Sequence, residues 1–272
     1  MAKEYSFTDQ EFKFITNMAY EACGIVLGSH KREMVYSRLA RRICVLKLFS
    51  FAQYIEYLKQ DRNNEFSHFI NAITTNLTSF FREPYHFDYL SDNLIQQIIE
   101  HNQSTKKVRI WSAGCSTGEE PYSIAMTVAD QFPSSWNVKI LATDLDSNVL
   151  AKASIGEYSA NSIIGLDEPL KKRFFLQNKR TGMFKVRPEL KKNIYFKRLN
   201  LLEPWPMTGK FDVIFCRNVV IYFDHCTKVS LFHRFEQTLT PDGHLFLGHS
   251  ETMHKVKCDF TPLGKTMYRK QA

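Results

Sequence analysis

The spacing of apolar positions divides the chain into two regions of different character. Between residue 6 and about residue 75, apolar side chains such as Phe12, Ile15 and Ala19 recur at helical spacing. Gly24 and Gly28 interrupt this pattern after the first helix. Further helices are predicted over residues 30–47, 51–58 and 65–76.

From about residue 108, short apolar runs alternate with helical segments. Alternation of this kind predicts a mostly parallel sheet with helices on both faces, in an α/β fold. Ligands of such sheets bind beyond the carboxyl ends of the strands. Strands are predicted at 108–113, 138–143, 193–199, 211–216 and 243–249, and helices at 119–131, 146–153 and 226–239.

Residues 155–190 break the alternation. They contain several Gly and Pro residues and a short strand-like run over 183–186. A segment of this length between two strands is more than a simple connection, so we predict a small inserted β-subdomain. The chain is thus divided into a helical domain over 1–75, a linking segment over 76–107, and a sheet domain over 108–272 that carries the insertion.

Composition excludes several classes of protein. A hydrophobic content of 44% over 272 residues is enough for a sizeable core. No apolar stretch approaches the roughly 18 residues that span a bilayer, and the N-terminus has no apolar signal core, which predicts a cytoplasmic protein with no membrane insertion. The six cysteines lack Cys-x-x-Cys spacing and the nine histidines lack metal-ligand spacing, so we expect free thiols and no metal.

A net charge of +8 predicts an acidic partner, and nucleic acid, acidic protein and anionic lipid all qualify. Lys31, Arg38 and Arg42 share one face of the predicted helix 30–47. A solvated face with extended basic side chains is the simpler interpretation. The density of charge favours a docking surface, since six basic residues stand against Glu33 alone: Lys31, Arg32, Arg38, Arg41, Arg42 and Lys47.

A turn rich in small residues joins the strand 108–113 to the next helix. Gly114, Ser116 and Gly118 resemble the Gly-x-Gly-x-Gly turn of S-adenosylmethionine-dependent methyltransferases. Dinucleotide and phosphate sites, and simple tight corners, have similar turns. Asp144 follows the strand 138–143, where an acidic residue accepts hydrogen bonds from ribose hydroxyls. Capping of the following helix suits Asp146 better and leaves Asp144 free.

Two further segments combine polar and aromatic residues. Residues 76–84 place Phe80 and Phe81 beside Asn, Thr and Arg, which predicts an apolar pocket wall with convergent polar groups, or else a linker helix. The strand 211–216 leads into Arg217, Asn218 and Tyr222. Enzymes that methylate amino or amide nitrogens carry Asn- or Asp-Pro-Pro-Tyr here, and its absence disfavours that chemistry. A turn role for Asn218 and a core role for Tyr222 are the structural alternatives.

Taken together, these motifs resemble the CheR family of bacterial chemotaxis receptor glutamate O-methyltransferases. The matching motifs cover nearly the whole chain in order: Asn-Leu-Thr-x-Phe-Phe-Arg, Ser-Ala-Gly-Cys-Ser-Thr-Gly-Glu-Glu-Pro-Tyr-Ser, Asp144-x-Asp146, Phe-Cys-Arg-Asn-Val-x-Ile-Tyr-Phe and Gly248-His-Ser-Glu251. The resemblance implies a Rossmann-like methyltransferase sheet with an N-terminal all-helical domain and a small inserted β-subdomain.

The resemblance also implies a site and a reaction. S-adenosylmethionine would be the methyl donor and S-adenosylhomocysteine the product, with glutamate side chains of chemoreceptors becoming methyl esters. Arg82 and Tyr222 would lie closest to the transferred methyl group. The implied cofactor contacts are Asn76, Thr78, Arg82, Gly114, Glu119, Asp144, Asn200, Leu201, Arg217 and Asn218.

The implied partner is the acidic helical methylation region of a chemoreceptor, docked on Lys31, Arg38 and Arg42. A receptor C-terminal peptide could add to the β-subdomain by strand pairing. A nucleic-acid methyltransferase is one alternative, which the missing Pro-Pro motif and the absence of a nucleic-acid module oppose. A non-catalytic adaptor is another, which the intact Arg82, Asp144, Asn218 and Tyr222 oppose.

Overall fold

The computed structural model of the chain describes residues 4–60, 64–254 and 256–271. The first four helices form the N-terminal helical domain, and the other helices of the described residues lie around the sheets. The helices are α1 (Asp9–Cys23), α2 (Arg32–Val45), α3 (Phe51–Gln60), α4 (Glu65–Ile73), α5 (Tyr85–Tyr89), α6 (Ile95–His101), α7 (Glu119–Val128), α8 (Ser147–Ile155), α9 (Glu168–Phe174), α10 (Pro188–Lys191) and α11 (His225–Thr238). A π-helical turn over Leu90–Leu94 joins α5 to α6.

The strands form two sheets. They are β1 (Lys107–Ala113), β2 (Asn137–Asp144), β3 (Glu157–Tyr158), β4 (Phe175–Gln177), β5 (Phe184–Val186), β6 (Ile194–Arg198), β7 (Phe211–Cys216), β8 (Leu239–Leu247), β9 (Phe260–Gly264) and β10 (Met267–Lys270). The seven-stranded sheet has the order β6-β2-β1-β7-β8-β10-β9. Its first five strands are parallel, and β10 is antiparallel to β8 and β9.

The helical domain has its own core, and its first helix shows why these residues fold locally. Thr8 and Glu11 form a capping box, with Thr8 Oγ1 accepting from the Glu11 backbone N–H at 3.2 Å. Gly24 ends α1 in the left-handed region. The core of α1 to α4 includes the fully buried Ile15 and Leu39.

Burial explains the strands of the large sheet. All six residues of β7 are buried, as expected for a parallel strand covered on both faces. The five predicted strands of this sheet are confirmed within a few residues at each end, whereas β9 and β10 were not predicted. Because β6, β2, β1 and β7 are parallel neighbours, their carboxyl ends meet at one edge.

The predicted small sheet is present between β2 and β6 in the chain. It is antiparallel with the order β3-β5-β4, so β3 and β4 are its edges. The Tyr158 hydroxyl donates to the Thr117 carbonyl at 2.7 Å and ties this sheet to the turn after β1. Among the described residues, no helix combines the length and the apolar character needed to cross a membrane.

Candidate functional site

A cavity lies at the carboxyl ends of β6, β2, β1 and β7, where the sheet faces the helical domain. The structure brings ten of the eleven predicted site residues to its wall: Asn76, Thr78, Arg82, Gly114, Asp144, Asn200, Leu201, Arg217, Asn218 and Tyr222. They come from four strand ends and from the segment before α5. Their individual roles stay predictions.

The turn after β1 forms part of the floor and is held close to the loop after β7. Gly114 has a φ of +93°, and a Cβ there would lie 2.4 Å from Val219 Cγ2. Only glycine adopts this positive φ readily and also leaves room for the Val219 side chain. The backbone N–H groups of Gly114 and Cys115 both donate to the Thr143 carbonyl at 2.8 Å, which fixes the turn against β2.

Asp144 lies at the end of β2 and organises the loops around it. One carboxylate oxygen accepts from the Ser116 backbone N–H at 2.8 Å, and the other accepts from the Asp146 backbone N–H at 2.9 Å. Burial raises the pKa of Asp144 to about 6 against these two bonds, and the nearby Asp146 carboxylate adds to the rise. Each oxygen keeps a further lone pair, so the carboxylate can accept ligand hydroxyls as well.

Asp146 caps α8, as predicted. Its Oδ1 accepts from the Asn148 backbone N–H at 2.8 Å, and its Oδ2 accepts from Asn76 Nδ2 at 2.8 Å. Ser116 Oγ donates to the Asn76 carbonyl at 2.9 Å. The segment that begins at Asn76 is therefore pinned to both loops of the cavity floor.

Arg82 lies in a strained part of that segment, because its neighbours Phe81 and Glu83 have φ values of 49° and 57°. Its Nη1 donates to the Leu77 carbonyl at 2.9 Å. A guanidinium has five N–H donors in a planar fork, so this single bond leaves donors for a carboxylate.

The prediction that Phe80 and Phe81 form an apolar wall of the pocket is wrong. Phe80 packs edge-on against Tyr158 and Phe175 of the small sheet, with ring centroids 4.9 and 5.6 Å apart. Phe81 packs edge-on against Phe87 in α5 at 5.2 Å. Both rings pack away from the cavity and anchor the segment, whereas Thr78, Ser79 and Arg82 of the same segment line the cavity.

Arg217 lines the cavity, but its guanidinium is committed to protein partners. The side chain is 2% exposed and lies 3.2 Å from Glu83 Oε2 and 3.2 Å from Glu120 Oε2. It also donates to the Arg82 carbonyl. Burial alone would raise the pKa of Glu83, but hydrogen bonds from His249 and the charge of Arg217 outweigh it and lower that pKa to about 2.

Glu119 is the predicted site residue that does not line this cavity. Its carboxylate accepts from Thr117 Oγ1 at 2.6 Å, whereas its neighbour Glu120 faces the cavity wall. Glu120 accepts from Ser112 Oγ at 2.7 Å. Adjacent residues at the start of a helix point about 100° apart, so the motif alone does not distinguish which carboxylate faces inward.

The helical domain also contributes to the cavity, which the sequence did not predict. Cys23, Ile25 and Leu27 line it, and the Val26 backbone N–H donates to the Tyr222 carbonyl at 2.8 Å. Gly24 and Gly28 bracket this segment, and the uninterrupted apolar run of residues 25–27 between them was the available signal.

Tyr222 combines the two interpretations that the sequence left open. It packs against the core of the helical domain and also lines the cavity. Lys31 Nζ lies 5.0 Å from the centre of its ring, in cation–π geometry. The ring therefore stands between the two domains at the cavity mouth.

The sheet order, the glycine turn after β1 and the carboxylate after β2 define a Rossmann-like S-adenosylmethionine-dependent methyltransferase. Comparison with known families agrees with this class. The family description "CheR methyltransferase, all-alpha domain" matches residues 10–74, and "CheR methyltransferase, SAM binding domain" matches residues 76–269. The chain belongs to the CheR methyltransferase family.

Curated relatives match along almost the whole chain. The chemotaxis protein methyltransferase of Escherichia coli (strain K12) is 42% identical over 275 residues, covering 98% of this chain and 93% of the relative. Chemotaxis protein methyltransferase 2 of Pseudomonas aeruginosa is 42% identical, covering 98% and 95%. The chemotaxis protein methyltransferase of Borreliella burgdorferi is 40% identical, covering 93% and 91%. The chain is therefore an S-adenosylmethionine-dependent methyltransferase of chemotaxis.

Proposed function

We propose that the enzyme transfers a methyl group to glutamate side chains of chemoreceptors and so forms γ-glutamyl methyl esters. The observation that carries this proposal is the convergence of Arg82, Asp144 and Tyr222 on one cavity at the strand ends. The family supports the donor, and the lack of a Pro-Pro motif after β7 argues against nitrogen as the acceptor.

The residues around the cavity fit S-adenosylmethionine by their chemistry. Asp144 offers a carboxylate for ribose hydroxyls, Leu145 and Leu201 offer an apolar surface for a base, and Arg82 offers donors for a carboxylate. When bound, S-adenosylmethionine would supply an electrophilic methyl group on a sulfonium. No metal is needed for transfer from such a group.

The acceptor explains why the site needs no general base. A glutamate carboxyl has a reference pKa near 4.3 and is already ionised at neutral pH. Its oxygen forms a bond to the methyl carbon as the carbon–sulfur bond breaks, and the two opposite charges cancel. The protein's tasks are to align the oxygen with the methyl group and to keep water out.

Arg82 and Tyr222 perform the alignment in this proposal. The free donors of Arg82 hold a carboxylate, either that of the cofactor or that of the substrate, by bidentate hydrogen bonds. The Tyr222 hydroxyl orients the substrate oxygen, or its ring face contacts the sulfonium. The Arg82 side chain donates to the Leu77 carbonyl, and the Tyr222 backbone is held by the bond from the Val26 N–H to its carbonyl.

The helix α2 would dock the acidic methylation region of the receptor. Lys31 lies at the cavity mouth beside Tyr222. Arg38 donates to the Thr74 carbonyl at 2.7 Å at the end of α4, and Arg42 is paired with Glu65 at 2.6 Å. Glu65 compensates the charge of Arg42. More of the charge that steers the receptor is therefore carried by Lys31, Arg38 and the exposed Arg41.

The small sheet would bind a receptor C-terminal peptide. Its edge strand β4 is open to pairing, and Leu176 on it is 45% exposed. Between residues 171 and 192, nine lysines and arginines stand against Glu189 alone. An acidic peptide with apolar side chains suits this edge.

A cytoplasmic location for the enzyme stays a prediction.

One assay tests reaction type and substrate class together. The full chain is incubated with methyl-labelled S-adenosylmethionine and a receptor cytoplasmic fragment, treated with mild base, and assayed for volatile methanol. Base-labile label on the fragment supports carboxyl methyl esters. Label that survives base overturns the ester mechanism, and cofactor binding without any label favours the adaptor alternative.

A further inference from the structure

The end of β8 leads into a short closed turn, Gly248–Glu251, which has no role in the chemistry described so far. The Glu251 backbone N–H donates to the Gly248 carbonyl at 2.9 Å, and the Glu251 side chain accepts from the Gly248 backbone N–H at 2.6 Å. The turn is thus closed twice. It is tied to the sheet where the Leu247 N–H donates to the Thr266 carbonyl at 3.0 Å.

Glu251 connects this turn to the segment that carries Tyr222. It is 3% exposed and accepts from the backbone N–H of Asn218 at 2.7 Å and from that of Ile221 at 3.1 Å. These donors flank the start of the 3₁₀ turn Val220–Tyr222. A buried carboxylate that collects several backbone N–H groups fixes a loop strongly, because each unpaired donor would be costly.

Glycine at 248 is required for this contact. A Cβ there would lie 2.4 Å from Asn218 Nδ2 and 2.7 Å from the Asn218 backbone nitrogen. Asn218 itself has a φ of 60°. The turn and the Tyr222 segment therefore approach each other closely at the backbone level.

The same turn also contacts the segment that carries Arg82. Glu83 Oε1 accepts from the His249 backbone N–H at 3.1 Å and lies 2.8 Å from His249 Nδ1. Its other oxygen faces the Arg217 guanidinium, which donates to the Arg82 carbonyl. Glu83 thus anchors the strained backbone around Arg82 to residue 249.

We infer that Gly248–Glu251 is a common support that fixes Arg82 and Tyr222 relative to each other, with Glu83 and Glu251 as positioning residues. The inference rests on the proposed roles of Arg82 and Tyr222. Glu251 reaches from the support to the segment of Tyr222, and Glu83 reaches from the segment of Arg82 to the support, so a displacement of the turn moves both segments together. Alignment of the acceptor oxygen with the methyl group depends on that relation.

The test compares Glu251→Gln and Glu83→Gln with a matched control. In Glu251→Gln, one oxygen becomes an NH₂ group that faces a backbone N–H donor, so the contact is broken without a change in size. Asp212→Asn is the control, because Asp212 is equally buried and accepts from the Arg109 N–H at 2.7 Å, but at the opposite end of β7. The readouts are kcat, KM for a receptor fragment, affinity for S-adenosylhomocysteine, and amide hydrogen exchange.

We expect both glutamate variants to lower kcat, by about tenfold to a hundredfold for Glu251→Gln, with a smaller change in cofactor affinity. Asp212→Asn should leave kcat near the wild-type value even where it lowers the melting temperature. Glu83→Gln should also accelerate hydrogen exchange of the Ile221 amide, which donates to Glu251 and is four residues away from Arg217, the neighbour that Glu83 contacts directly. That distant effect is what a shared support predicts and a local structural role does not.

Two results would overturn the inference: exchange in Glu83→Gln that changes only near residues 82–84, 217–218 and 249, or an equal loss of kcat in Asp212→Asn. If Glu251→Gln does not fold, the exchange pattern of Glu83→Gln decides alone. Hydrogen exchange needs no methyl acceptor. A wild-type enzyme that does not esterify the receptor would therefore refute the proposed function and leave the exchange result standing.

Discussion

The large and the small sheet use charged side chains in opposite ways. At the carboxyl ends of the large sheet, Asp144, Arg217 and Glu251 are buried or nearly so and bonded to backbone groups. In the small sheet and the helix α9 that leads into it, the charges are mostly exposed, as at Lys172 in α9 and Lys185 in β5. Buried and bonded charges are costly to rearrange, so they suit the positioning of reacting groups. Exposed charges act over a distance, so they suit the first encounter with a charged partner. Substitutions in the two regions should therefore affect different kinetic constants.

The largest effect is expected at Arg82. Arg82→Ala should lower kcat/KM by about a hundredfold to a thousandfold, because it removes donors aimed at a carboxylate in a preorganised site. Its melting temperature should change little, since the side chain makes one hydrogen bond within the protein. Steady-state kinetics and thermal unfolding check both halves. Arg109→Ala at the amino end of β1 is the control, and unchanged turnover in Arg82→Ala would refute the assignment.

The second-largest effect is expected at Arg42, and it distinguishes basic residues of α2 that stabilise the fold from those that dock the receptor. Arg42→Ala should lower the free energy of unfolding by about 2–3 kcal/mol, because Glu65, which is 3% exposed, would lose its cation. Chemical denaturation measures this. Arg41→Ala, at an exposed neighbour, should leave stability unchanged.

Kinetics with the receptor as substrate test which basic residues of α2 dock it. Lys31→Glu together with Arg38→Glu should raise KM for the receptor more than Arg42→Ala does, and should change cofactor affinity less than it changes KM, although Lys31 also lines the cavity. A KM that does not move in the double variant would place the docking surface elsewhere.

The third effect is a pH dependence of cofactor binding through Asp144. Its pKa is raised to about 6 in the folded protein, so the carboxyl becomes protonated as pH falls through that value. If the ionised form binds the ribose, affinity for S-adenosylhomocysteine should fall below pH 6 by up to about tenfold per pH unit. Calorimetric titration from pH 5 to 8 tests this. Asp144→Asn should bind weakly with a flat profile, and an identical slope in the variant would assign the titration to another group.

The smallest effect is expected in the small sheet. Lys172→Glu with Lys185→Glu should raise KM severalfold for receptors that carry an acidic tail and leave kcat unchanged. The difference from wild type should shrink as salt is added, because exposed charges are screened within about 10 Å at 0.1 M salt. A receptor fragment without its tail is the control. Equal effects on both fragments would argue against peptide binding at this sheet.

Local patterns predicted much of the fold. The apolar run over 211–216 matches β7, and the cap at Asp146 lies where its spacing indicated. Both depend on residues close in sequence. The hairpin of β9 and β10 was not predicted, because its strands are short and pair around the left-handed residues Lys265 and Thr266.

The sequence predicted which residues form the site better than it predicted the contacts and orientations of their side chains. Strand ends bring Asp144 and Asn218 to one edge in any parallel sheet, so their convergence follows from topology. The orientation of Phe80 depends on Tyr158 and Phe175, which lie about 80 or more residues away in the chain. The choice between Glu119 and Glu120 likewise depends on partners beyond the motif, and no local pattern encodes such contacts.

The hydrogen bond from the Val26 N–H to the Tyr222 carbonyl has a consequence for how the two domains can be recombined. One wall of the cavity comes from residues 23–27 and the opposite wall from the strand ends, so neither domain contains a whole cavity. A chimera that joins the helical domain of one relative to the sheet domain of another inherits two half-sites that must match at this seam. Exchanging receptor preference between relatives is therefore better done by grafting the exposed side chains of α2 than by exchanging domains.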